Sequence, residues 1–148
     1  MALKETERSL RWYFLLAGTV SALLSLRDIS TVSKLTGVLG ALPASWQLAI
    51  WFPIVARLVI GVGYIAAGVK LKAALPLGAT WIKQLLLASI VVLVIDAVLI
   101  GAVLGMDIGQ TGVIQSIIGL LVTVYLLASV RRLADEALAK QPPAARVA

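Results

Sequence analysis

The sequence predicts an all-α polytopic membrane protein: four transmembrane helices in a bundle, both termini cytoplasmic, and a short interfacial helix or loop after the first span. Three observations carry this. The 148 residues are 61% hydrophobic and only 14% charged, against about a quarter charged in soluble domains. Four apolar runs approach or exceed the ~20 residues that a helix needs to cross a ~30 Å hydrocarbon core. None of them alternates with period two, as a lipid-facing barrel strand would.

The first span is expected over about residues 12–32. "WYFLLAGTVSALLSL", 12–26, supplies only 15 residues, or ~22 Å at 1.5 Å per residue, so the helix should run on through "RDIS" before it reaches water. Lys4, Arg8 and Arg11 followed by "VSA" at 20–22 outline a secretory signal, but Glu5 and Glu7 stand inside what would be its basic region. The segment is therefore expected to be retained as a span.

Residues 29–45 are mixed, with Ile29, Val32, Leu35, Leu39 and Leu42 at helical spacing and Gly37, Gly40 and Pro43 as breakers. They should lie at the interface or dip into it. The second span covers about 46–69 and tolerates Pro53 because neighbouring helices can satisfy the freed carbonyl. A third span over about 81–105 and a fourth over about 113–130 follow the connections "KLKAALPLGAT" and "GMDIGQTG". "RRLADEALAK", 131–140, should extend the last helix into water, with Arg131/Asp135 and Arg132/Glu136 as i,i+4 pairs. The tail 141–148 should be disordered. Residues 1–140 thus form a single domain.

Of the 13 Lys and Arg, Lys4, Arg8, Arg11, Lys70, Lys72, Lys83, Arg131, Arg132, Lys140 and Arg146 fall on one side. Arg27 and Lys34 fall on the other, and Arg57 lies within a span. That bias makes the terminal side cytoplasmic and points to a bacterial inner membrane. It also accounts for the net charge of +6 without a nucleic-acid face, which would need the basic groups clustered on one soluble surface. Trp12, Trp46, Trp51 and Trp81 stand near span ends as interfacial anchors.

The chain has no Cys and no His. Thiol chemistry, haem ligation through His, the usual zinc sites and every His-based general base are excluded. No cofactor is expected, and an enzyme is not: Asp96, Asp28 and Tyr64 have nothing beside them to position a nucleophile.

What remains is charge inside the membrane. Asp96 interrupts "VVLVIDAVLI" at 91–100, 13 residues beyond Lys83, and Arg57 lies 13 residues before Lys70. Each is ~20 Å from its marker. An isolated charge at the bilayer centre costs at least ~2.5–3.5 kcal/mol, so the two are expected to pair. Arg27 and Asp28 should lie slightly outside them. Ser21 and Ser25 share a helix face with Asp28, Tyr64 with Arg57, and Ser89 with Asp96, by spacings of three or seven. Ser116, Gly119 and Thr123 add an uncharged polar stripe on the fourth span. Small residues recur at spacing four, as Gly18/Ala22, Gly63/Ala67 and Gly101/Gly105, and suit close helix packing within the protomer or between subunits.

Two functional readings follow. In the first, a buried Arg57–Asp96 pair holds the bundle of a non-catalytic membrane subunit or scaffold, whose partners are the lipid bilayer and either a second copy of itself or another membrane protein. In the second, Asp96, with Arg57, is the intramembrane proton or ion site of a small transporter or channel. A dry, fully hydrogen-bonded pair would favour the first and a cavity reaching Asp96 the second.

Overall fold

The structure is a computed structural model that describes residues 2–103 and 109–140. It is all-helical, and four of its helices are long and apolar enough to cross a membrane. Helix α1 spans Ala2–Ser33. It passes through "RDIS" as its length requirement demanded, and it also takes in the charged segment before Trp12. A turn at Lys34–Leu35 and the single-turn helix α2, Thr36–Leu39, form the expected short helix after the first span.

Helix α3, Ala44–Ala74, begins after Pro43, whose φ of −53° and ψ of 147° set extended backbone just before the first helical residue. The Gln47 side chain reaches back and donates to the Leu42 carbonyl at 2.9 Å. Pro53 lies inside α3; having no N–H, it cannot donate to the Ala49 carbonyl one turn back.

A 3-10 turn, Leu75–Leu77, then leads into Gly78 and Ala79, both left-handed, with φ of 78° and 51°. Their N–H groups donate to the carbonyls of Leu75 and Ala74, each at 3.0 Å. These bonds close off α3 and turn the chain sharply into α4, Thr80–Val98. Beyond Val98 the helix widens to a π-helical segment, Leu99–Val103, opened by Leu99 N–H shared between the carbonyls of Asp96 and Ile95. Helix α5 covers Gly109–Ala139.

The expected 131–140 extension is continuous with the fourth span, but it is not a solvated stub. Leu133 and Ala134 are buried in the core, and Ala137 packs against it. Arg132 pairs with Glu136 at 3.1 Å; Arg131 and Asp135, expected to pair likewise, do not come within 4 Å. The tail 141–148 and residues 104–108, which include Gly105 and the first half of the "GMDIGQTG" connection, lie outside the described residues.

The core is gathered at one end of the bundle. Leu10 and Phe14 of α1, Ala67, Leu71 and Ala74 of α3, Ile82 and Leu86 of α4, and Leu126, Val130, Leu133 and Ala134 of α5 make one buried cluster where the termini and the 75–79 turn meet. Toward the other end Val91, Val94, Val98, Ile117, Ile118 and Leu121 are exposed, as residues facing lipid would be.

Helices α1 and α3 form the closest seam. A Cβ built on Gly18 would stand 2.6 Å from the Gly61 carbonyl oxygen and 2.8 Å from the Ile65 nitrogen; one on Gly61 would stand 3.0 Å from the Ala22 nitrogen. Gly18 and Ala22 therefore serve packing within the protomer, as their spacing suggested. Their partner on α3 is Gly61, reinforced by Gly68 against Leu15. Gly63 instead meets the Leu85 side chain of α4, Ala67 is fully buried in the core, and Gly101 has open space around it.

Candidate functional site

The expected Arg57–Asp96 ion pair does not form. Arg57 Nη1 pairs with Asp28 Oδ2 at 3.4 Å, and Asp28 also receives Arg27 Nε at 3.8 Å. The reason is lateral position. Asp28 lies on α1, and the glycine seam presses α1 directly against the Arg57 face of α3. The Ser21 hydroxyl, one face-turn away from Asp28, donates to the Arg57 carbonyl at 3.3 Å and ties the same seam. Ser25 is fully buried there and donates to the Ser21 carbonyl at 2.9 Å.

Arg57 and Asp96 instead share a cavity of about 530 Å³ between α3, α4 and α5, with Tyr13 of α1 on its wall. The cavity has two chemically distinct ends. At one stand Arg57 and Asp96, with Pro53 nearby; at the other are Tyr64, Ser89 and Thr123. Along α3 and α4 the two ends are seven residues apart, or ~10 Å. Between them the wall is apolar, formed by Ile60, Val92, Leu93, Ile118 and Val122.

The hydroxyl end is fully committed. Tyr64 Oη donates to Ser89 Oγ at 3.0 Å, Ser89 Oγ to the Leu85 carbonyl at 3.0 Å, and Thr123 Oγ1 to the Gly119 carbonyl at 2.8 Å. The Tyr64 ring is fixed edge-on by the fully buried Phe14, centroids 5.5 Å apart. Replacing Tyr64 by Phe should keep this packing and lose one hydrogen bond, lowering stability by about 0.5–1.5 kcal/mol in thermal unfolding in detergent.

The charged end is not committed. Asp96 Oδ1 is buried and has no hydrogen-bond partner. Buried polar atoms in proteins are nearly always satisfied, and a membrane supplies no water to do so from the lipid side. Among the described residues, Asp96 Oδ1 is the buried side-chain polar atom left without a partner, on a residue that lines the cavity.

Tyr13 borders a second, smaller cavity of about 190 Å³, lined with Ser9, Leu10, Tyr125, Leu126 and Ser129 toward the terminal end. Tyr13 thus stands between this polar-edged space and the Asp96 cavity.

No family model matches the chain, and no curated protein or solved structure shows significant similarity to it. Functional reasoning therefore rests on the site.

The sequence singled out Arg57, Asp96, Asp28, Tyr64 and Ser89, and all five stand along the cavity or in the ion pair that borders it. The Arg27 side chain pairs with Asp28 at 3.8 Å and is largely exposed. Thr123 and Gly119 of the uncharged stripe belong to the cavity. The residues that spacing did not mark are Tyr13, Pro53 and the apolar wall. Tyr13 carried a weak signal, as a phenol seven residues after Thr6 on a helix face otherwise suited to packing.

Proposed function

We propose that this protein is a small transporter or channel in which Asp96 is the intramembrane cation or proton site and Arg57, paired with Asp28, shapes the field beside it. That Asp96 lines the 530 Å³ cavity while its buried Oδ1 has no hydrogen-bond partner carries this reading. Ionisable groups within spans mark conduction and relay sites because their burial is otherwise so unfavourable. The scaffold reading placed Asp96 in a pair with Arg57; Arg57 pairs with Asp28 instead, which leaves Asp96 without a structural partner of opposite charge within 4 Å among the described residues. Asp96 acts here by binding and releasing a cation, so the protein is taken as non-enzymatic.

In this proposal both termini and the 70–83 connection face the cytoplasm of a bacterial inner membrane, because ten of the 13 Lys and Arg flank that side. The closed, core-bearing end of the bundle is then cytoplasmic, and the cavity's charged end lies toward the outer leaflet.

Reconstitution into liposomes tests the assignment. With a pH-sensitive dye trapped inside and a potential imposed, the protein should move protons or monovalent cations, and Asp96→Asn should lower that flux at least tenfold while remaining monodisperse and as thermally stable as the parent. Undiminished flux in Asp96→Asn would refute the role given to this carboxylate.

A further inference from the structure

Resting on the proposal that Asp96 is a cation site, we infer that its ligand is an organic monocation with an apolar body, rather than an inorganic ion. Size is the first reason. A cavity of about 530 Å³ falls in the ~300–1,000 Å³ range of organic ligand sites and is far larger than any bare ion. A ligand filling it would span the ~10 Å from Asp96 to the Tyr64–Ser89 end.

The donor set is the second. Calcium takes ~6–8 oxygens and magnesium a near-ideal octahedron. Here one carboxylate is available, and no group of three or more Asp, Glu, His or Cys exists among the described residues. The three hydroxyls at the far end have their protons engaged by Ser89, Leu85 and Gly119. They offer a weakly polar surface and no cage.

The walls are the third. Ile60, Val92, Leu93, Ile118 and Val122 contribute no charge, and the rings of Tyr13 and Tyr64 border the same space. An aromatic face attracts a cation but does not replace the water oxygens that sodium or potassium would have to shed, which favours a poorly hydrated ammonium. Arg57 would repel such a ligand were it unpaired. Its guanidinium is drawn to Asp28 at 3.4 Å and away from Asp96, the one acid among the residues that line the cavity.

The test is direct binding of tetrabutylammonium to the purified protein in a neutral detergent, read by equilibrium dialysis against protein-free micelles. The expected result is saturable binding that falls at least tenfold in Asp96→Asn and is regained in Asp96→Glu. Gly101→Ala, outside the cavity lining, should bind within about twofold of the parent, and a hundredfold excess of sodium should not compete. Binding that is equal in Asp96→Asn and the parent, or that sodium displaces, overturns the inference. Liposome flux that depends on Asp96 without any tetrabutylammonium binding also overturns it while leaving the broader proposal standing. Binding that depends on Asp96 without flux keeps the ligand class and removes transport.

Discussion

Gly18→Val should separate α1 from α3 and cost more stability than any other single substitution in the bundle. The Cβ it introduces would stand 2.6 Å from one backbone atom of α3 and 2.8 Å from another. Neither can swing aside as a side-chain tip would, so the whole seam must open. Overpacking a core commonly costs about 1–3 kcal/mol where side chains can adjust; here the backbone must move, and the loss should lie at or beyond the upper end. Opening the seam also draws Asp28 away from Arg57, which compounds the effect. Gly101→Ala is the matched control. Nothing lies within 4 Å of the Cβ it would add, so its thermal midpoint in detergent should stay close to that of the parent. Similar behaviour of the two variants would mean that α1 and α3 are not in backbone contact.

Asp28→Leu should come next, and it should be worse than Arg57→Leu. Removing the Asp28 carboxylate leaves Arg57 with no acid within 4 Å, a loss on the order of 2–3 kcal/mol by membrane-insertion scales. Removing Arg57 leaves Asp28 with Arg27 at 3.8 Å, so that variant retains a counter-charge. The double variant Asp28→Leu/Arg57→Leu should recover at least half of the loss, the signature of a coupled pair. Asp96→Leu should be neutral or stabilising, since it removes a buried acceptor that nothing satisfies. Thermal unfolding of all four in one detergent decides the matter. Coupling between Arg57 and Asp96 in place of Arg57 and Asp28 would reverse the assignment.

These two predictions also show what could be read in the chain. Span number followed from run length, and the continuation of α1 past Leu26 followed from the distance it had to cover. Depth in the membrane was legible too, because residue counts from Lys70 and Lys83 give it directly. Depth is only one coordinate, however. It put both Asp96 and Asp28 near the level of Arg57, and the choice between them depends on which helix lies alongside α3 and on which face. That was set by Gly61 and Gly68, seven apart and so on one face of α3, whereas spacing-four pairs drew attention to Gly63 and Ala67. The cavity was legible only by its polar rim. Its volume arises where apolar side chains fail to meet, which depends on how far α4 and α5 diverge and leaves no mark in composition. The burial of Leu133 and Ala134 was hidden for a related reason: a short amphipathic end reads the same whether it faces water or the 75–79 turn.

The gathering of the core at one end makes the four helices levers with a common fulcrum. From Ile82, inside that core, to Val103 at the far end of the π segment is 21 residues, or ~30 Å of arm. A tilt of about 4° at the fulcrum therefore displaces the free end by about 2 Å. Because α1 and α3 are locked backbone to backbone, such a tilt falls between that pair and the α4–α5 pair, across the faces that bear Arg57 and Asp96. Repacking near the termini is therefore expected to change the separation between the faces that bear Arg57 and Asp96.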